Sequence, residues 1–216
     1  MNVLVIGATG GSGRAAIEHL LGLGHRVTAF ARRPDPTTRP GLRWVAGDIM
    51  RAQDVDRAVA GHDAVVVTVG IRENPLRVRV LGPSGTPLHV RSAGTRLVIA
   101  AMKTHGVRRL VVQTSYGVGA TRDRLRILDR LFFALLLRPQ IADTELQEAD
   151  VTASGLDWVV VQPVHLTDAD DDRAPQVTSD GTLGTSTVSR RSVGRVLAQA
   201  VSDPALVRRS LAVSGG

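Results

Sequence analysis

The sequence predicts a single α/β domain, a doubly wound and mostly parallel sheet with helices on both faces. Three observations predict it. Short apolar runs rich in Val, Ile and Leu recur along the 216 residues, and stretches of helical spacing separate them. Gly and Pro clusters mark the joints between these segments. The first apolar run, Asn2-Val3-Leu4-Val5-Ile6, passes through a glycine-rich turn directly into a helical stretch. Strands joined through helices lie parallel, and right-handed crossovers cover both faces of the sheet.

The elements follow in order. After the strand at 2–6, helical spacing begins near Ala15 and stops at Gly22-Leu23-Gly24. A second strand is expected at 26–30. A loop carrying Pro34, Pro36 and Pro40 leads to a third strand at 42–46, which ends at Gly47-Asp48. A helix is expected at 52–60, and a fourth strand at 64–69 is broken by Gly70. Beyond a region of no regular pattern at 71–87, residues 88–103 have helical spacing, with Leu97 and Ala101 turned to the sheet. The fifth strand is expected at 109–113. Two helices, at 122–137 and 142–154, are expected on either side of Pro139, and a sixth strand at 157–162 stops at Pro163. A short strand near 182–188, a helix at 192–201 and a last strand at 210–213 complete the reading. Residues 1–216 form one core, with a small substrate-side region drawn mainly from 116–145 and 163–190.

Composition narrows the function. Cysteine is absent, which excludes disulfides, thiolate catalysis and cysteine metal sites. With no signal-like start and no apolar stretch of membrane-spanning length, the expectation is a soluble cytoplasmic protein without membrane association. The formal net charge is +7, and every basic residue except Lys103 is arginine. These charges are dispersed, and three Phe, two Trp and one Tyr offer few stacking platforms, so no dedicated nucleic-acid binding is expected. The acidic run Asp168, Asp170, Asp171 and Asp172 lacks calcium-loop spacing, and the six histidines form no zinc-binding array. No metal is expected.

The turn after the first strand reads Gly7-Ala8-Thr9-Gly10-Gly11-Ser12-Gly13. Strand, glycine turn and helix form a context for a dinucleotide. Gly7 permits the tight turn, Gly10 admits a pyrophosphate, and Gly13 lets the helix pack closely on the strand. Unpaired amides at the helix start, in the stretch Thr9, Gly11 and Ser12, face the phosphates. The spacing is G-x-x-G-x-x-G, a variant of the commoner G-x-G-x-x-G.

At the end of the second strand, where an acid binds the ribose of NAD, the sequence carries Arg32 and Arg33. Guanidinium groups there suit the extra phosphate of NADP(H). Ligands lie beyond the carboxyl ends of parallel strands, so Asp48 and Ile49 are placed at the adenine edge, and Thr68, Val69 and Gly70 along the path toward nicotinamide. Thr114, Ser115 and Pro163 sit at the reaction end.

Tyr116 is the only tyrosine, and the position one helical turn on, where a lysine would assist it, is Ala120. The usual proton-delivery pair of a carbonyl reductase is therefore missing. Ser115 remains to orient the reacting rings, and His165 falls on the same side as a wall of the substrate pocket. Asp143, Glu145, Glu148 and Asp150 share one helical segment, with Glu145 and Glu148 one turn apart as in a paired carboxylate site; the segment reads foremost as a solvated acidic face, with Glu145 able to face the cleft.

The chain resembles the atypical short-chain dehydrogenase/reductase group, and within it the flavin reductase (biliverdin reductase B) branch. The resemblance rests on the glycine turn, Ala31-Arg32-Arg33, Gly47-Asp48-Ile49, the stretch from Ala100 to Val107, Gln113-Thr114-Ser115, Ser154-Gly155-Leu156-Asp157-Trp158 and Pro163-Val164-His165-Leu166. It implies NADPH as cofactor, Arg32 on the ribose phosphate, Thr114 and Ser115 beside nicotinamide, and His165 beside a flavin or tetrapyrrole. The implied activity is hydride transfer to a flavin or a linear tetrapyrrole; quinones are another acceptor class, because their reduction places limited demand on a protein acid. Around the expected substrate pocket, Tyr116-Gly117-Val118-Gly119 and 122–137 look more like NmrA-like and sugar-epimerase-like relatives, and Gln162 stands where many relatives carry arginine. A noncatalytic NADP(H)-binding redox sensor and an epimerase-like enzyme are the alternatives.

Overall fold

The computed structural model describes residues 1–35, 37, 39–70, 86–124, 138–169 and 173–216. Its central sheet has eight strands in the order β3-β2-β1-β4-β5-β6-β10-β8. They are β1 (Asn2–Ile6), β2 (Arg26–Ala31), β3 (Leu42–Ala46), β4 (Ala64–Val67), β5 (Arg109–Gln113), β6 (Asp157–Pro163), β8 (Gln176–Thr178) and β10 (Arg209–Ser214). Every pairing is parallel except β10 with β8, an antiparallel edge. A separate parallel pair joins β7 (His165–Thr167) to β9 (Thr187–Ser189).

Five α-helices cover the sheet among the described residues. Alternation along β1 sorts them, because successive side chains on a strand point to opposite faces. Val3 and Val5 face α1 (Gly11–Gly22) and α5 (Arg190–Ser202), whose Ile17, Leu20, Val193 and Leu197 close that side of the core. Leu4 and Ile6 face the opposite layer, where α2 (Ala52–Val59), α3 (Val90–Thr104) and α4 (Arg138–Thr152) contribute Val55, Met102 and Val151. The central strands are apolar throughout because both of their faces are covered.

The expected architecture is present, with adjustments that have local causes. Strand β4 ends at Val67, where the Thr68 hydroxyl turns back to donate to the Ile6 carbonyl at 3.1 Å. Helix α4 is described from Arg138, so Pro139 lies inside the second of the two helices expected around it and not before it. Residues 119–124 form a 3-10 turn, and the rest of the helix expected at 122–137 lies outside the described residues. The same holds for most of 71–87 and for Asp170, Asp171 and Asp172. The strand expected near 182–188 shortens to β9, while β7 and β8 were not anticipated.

Candidate dinucleotide site

The order β3-β2-β1-β4-β5-β6 reverses direction between β1 and β4, and the glycine turn stands at the carboxyl end of β1 beside this crevice. Gly7 has φ +85°, a left-handed conformation that turns the chain sharply out of β1. The Gly10 amide donates to the Gly7 carbonyl at 2.9 Å and closes the turn. At Gly13 a Cβ would collide with the Gly7 carbonyl oxygen and lie 2.9 Å from Thr68 Oγ1. The glycines therefore let α1 start in contact with β1 and β4. The first amides of α1 have no partner inside the helix and carry the positive end of its dipole, an arrangement suited to phosphate.

One cation at this turn was invisible to sequence reading. A Cβ on Gly11 would collide with Arg190 Cδ and lie 3.0 Å from its Nε, so the Arg190 side chain lies across the start of α1. Its guanidinium is held by Asp168 at 2.7 Å, and most of the Asp168 side chain is in solvent. Only the packing of α5 on α1 brings residues so distant in sequence together.

Arg32 and Arg33 are exposed at the carboxyl end of β2, and Arg32 Nη2 donates to Thr86 Oγ1 at 3.2 Å. Asp48 follows β3, where its Oδ1 accepts from the Met50 amide at 3.0 Å, and its own amide donates to Asp54 Oδ2. One oxygen of Asp48 thus shapes the turn into α2. Ile49 is buried beneath the same turn. Thr68, Val69 and Gly70 are half-buried beyond β4, and Gly70 lies against the Arg91 guanidinium of α3.

At the end of β5, Thr114 is buried and Ser115 half-buried, and the Ser115 hydroxyl donates to the Tyr116 carbonyl at 3.3 Å. The Tyr116 amide donates to the Pro163 carbonyl, which joins the ends of β5 and β6. His165 is exposed on β7, with its amide bonded to the Ser186 carbonyl. The Tyr116 ring is buried and its hydroxyl donates to the Gly181 carbonyl at 3.0 Å, while burial pushes the phenol up. This phenol is a tether.

The acidic segment of α4 departs from the solvated face expected of it. Asp143 is buried and accepts from the Arg91 and Ser92 amides at 3.0 and 3.1 Å, which ties α4 to the first turn of α3. Asp150 pairs with Arg96, and Glu145 with Arg122. Glu148 is only 4% exposed, and burial holds its carboxyl up at about 7. Gln162 Nε2 donates to both Glu148 Oε1 and the Val118 carbonyl, each at 2.8 Å. The polar spacing along α4 gave no sign of this burial.

A switch-point glycine turn that backs an open helix start with arginines nearby defines a dinucleotide-binding α/β protein. The chain belongs to the NAD(P)H-binding family, whose model matches residues 7–204. A 2-alkyl-3-oxoalkanoate reductase of Stenotrophomonas maltophilia is 34% identical over 119 residues, 55% of this chain and 34% of that protein. A 3-beta-hydroxysteroid dehydrogenase of Mycolicibacterium neoaurum is 33% identical, over 54% of this chain and 32% of its own length. The chain thus spans about a third of the length of these relatives. Among solved structures, the anaerobillin reductase ChuY of Escherichia coli O157:H7 shares the fold at 21% identity and a TM-score of 0.77, covering 100% of this chain and 97% of that one. A short-chain dehydrogenase/reductase of Veillonella parvula in complex with NADP superimposes with a TM-score of 0.75 at 15% identity, over 99% and 94% of the two chains. The fold is that of NAD(P)-binding oxidoreductases. Among the described residues no helix is long and apolar enough to cross a membrane.

Proposed function

We propose that this protein is an NADPH-dependent reductase that delivers hydride to a flavin-like or quinone-like acceptor. The observation that carries the reading is the Tyr116 hydroxyl, which is committed to the Gly181 carbonyl and has alanine at position 120. A ketone needs a proton at oxygen as hydride reaches carbon, and that proton comes most efficiently from a positioned acid. A flavin or quinone makes less demand on such an acid, because solvent can complete its protonation. The names of the two curated relatives and of ChuY support redox chemistry; the engaged tyrosine supports a conjugated acceptor and counts against an epimerase.

The residues divide the binding work. The amides at the start of α1, with Gly7, Thr9, Gly10, Gly11, Ser12 and Gly13, form the diphosphate cradle, and Arg190 adds a cation to it. Arg32 and Arg33 select the ribose phosphate, with Asp48 and Ile49 at the adenine. Thr68, Val69, Gly70, Thr114 and Pro163 line the way to the reaction end. When bound, reduced nicotinamide supplies the hydride. Ser115 orients the reacting ring, and His165 forms the outer wall of a substrate pocket to which 116–124, 138–145, 163–169 and 173–190 contribute.

Steady-state NADPH oxidation with FMN, FAD, riboflavin and a small quinone panel tests the reading. Turnover with at least one acceptor is expected. Tight NADPH binding without oxidation of any acceptor would make the protein a redox sensor instead. The arginines give a further test. Arg32→Ala and Arg33→Ala should weaken NADPH by about 10-fold or more and leave NADH nearly unchanged, whereas Arg190→Ala should weaken both cofactors alike. Isothermal titration separates these patterns, and an unchanged NADPH preference in both Arg32 and Arg33 variants would refute the assignment. For Ser115→Ala, single-turnover hydride transfer is expected to slow by about 10-fold; an unaltered rate would remove Ser115 from the reaction.

A further inference from the structure

Glu148 is a buried acid that neither the fold nor the binding scheme uses. We propose that Glu148 is a positioning residue for the reaction end, a proton-exchanging clamp whose state sets how the 114–120 segment is held against β6. This rests on the proposed reductase site only for its effect on turnover; the clamp itself stands on geometry.

The carboxylate lies at a junction of three elements. Gln162 Nε2 bridges Glu148 Oε1 on α4 to the Val118 carbonyl in the loop after β5. Gly119, with φ +51°, has no room for a side chain, because a Cβ there would collide with Glu148 Oε1. The loop that begins at Thr114-Ser115-Tyr116 is therefore wrapped on the carboxylate. The Thr114 hydroxyl and the Ala120 amide lie near enough to favour its ionised form. Yet Thr114 Oγ1 and Glu148 Oε2 are both buried without completing a hydrogen bond of normal geometry. Buried polar atoms left incomplete on both sides of one gap are poised to change partners.

The surrounding charges do not neutralise it. From α3, Arg96 is paired with Asp150, and Arg91 lies beside Asp143. From the 3-10 turn Arg122 is paired with Glu145, while Asp123 and Arg124 are exposed. On α4 itself Glu145 adds a repulsion, which favours the neutral form. Gln162 on β6 and Thr114, just beyond β5, are neutral. Among the described residues no cation bonds to Glu148. A carboxyl in such surroundings changes charge near neutral pH.

The two states make different demands. A neutral Glu148 can donate its proton to Thr114 Oγ1 and leave the threonine hydroxyl to donate elsewhere. An ionised Glu148 can only accept, so it draws the Thr114 hydroxyl and the Ala120 amide toward itself. The hydrogen-bonding sense of Thr114, next to Ser115, thus follows the proton on Glu148.

Backbone amide shifts of Gly119 and Ala120, followed by NMR from pH 5.5 to 8.5, test the clamp without any substrate. In the unaltered protein they should titrate together with a midpoint near 7; in Glu148→Gln they should not move. Gln162→Arg supplies the missing cation and should drive the midpoint down by about 2 pH units, to below the range sampled, while the loop stays bound. The same midpoint should appear in kcat for acceptor reduction and disappear in Glu148→Gln, with KM for NADPH little affected. Amide titrations that persist in Glu148→Gln, or amides that are flat across the range in the unaltered protein, would overturn the proposal. Titrating amides in a protein that oxidises no NADPH would instead keep the clamp and overturn the reductase reading.

Discussion

Gly13→Ala should abolish measurable NAD(P)H binding and lower stability by about 1–3 kcal/mol, the usual cost of forcing extra volume into a packed site. The new Cβ would run into the Gly7 carbonyl oxygen and crowd Thr68 Oγ1. None of these neighbours can move cheaply. Gly7 is fixed in its left-handed turn by the Gly10 amide, and the Thr68 hydroxyl is bonded to the Ile6 carbonyl. Relief requires α1 to withdraw from the ends of β1 and β4, which carries the phosphate-facing amides out of position. Gly22→Ala, in the last turn of the same helix, is the control: a Cβ there meets nothing within 4 Å, so helix propensity should stabilise the protein by about 0.5–1 kcal/mol. Urea unfolding and calorimetric titration with NADPH check the pair. Normal affinity in Gly13→Ala would mean that the cofactor does not rest on this turn.

The legibility of this chain followed the range of the interactions. Strands β1, β4 and β5 were readable because burial on both faces leaves a run of apolar residues with little else in it, as in Ala64-Val65-Val66-Val67. The glycine turn was readable because strand, turn and helix are contiguous. The strands β7 and β8 were not, because three residues show no period and their pairing is decided by loops that return from elsewhere. Asp143, Glu145, Glu148 and Asp150 look alike along α4, yet two are buried and two paired with arginines of other elements. What separates them is Ser92, Gln162 and Gly119 across the interface, and no spacing within α4 reports that. Arg190 was missed for the same reason.

Glu148 should withdraw a stabilising contribution as pH rises from about 4.5 to 7, and Glu148→Gln should remove that pH-dependent contribution. In the folded chain the Glu148 carboxyl is held up at about 7, against 4.5 for an exposed glutamate. Between these values the folded state binds the proton that the unfolded state has lost. The contribution is fully present below 4.5, and it is lost as pH rises through 7 because the folded protein must then bury a charge that the unfolded chain leaves in water. The span corresponds to about 3 kcal/mol. Glutamine keeps the shape and the contact with Gln162 but never ionises, so the difference in unfolding free energy between variant and parent should grow by about 3 kcal/mol from pH 4 to pH 8. For a chain of 216 residues this is roughly 6–12 °C in Tm at the alkaline end. Other carboxylates titrate equally in both proteins and cancel in the difference. Asp157, held low by the Arg108 guanidinium, contributes in the opposite sense: its stabilisation is lost as pH falls through its depressed value, so it cannot mimic the effect. A difference that stays constant with pH would show that Glu148 takes up its proton no more readily in the folded chain than in the unfolded one.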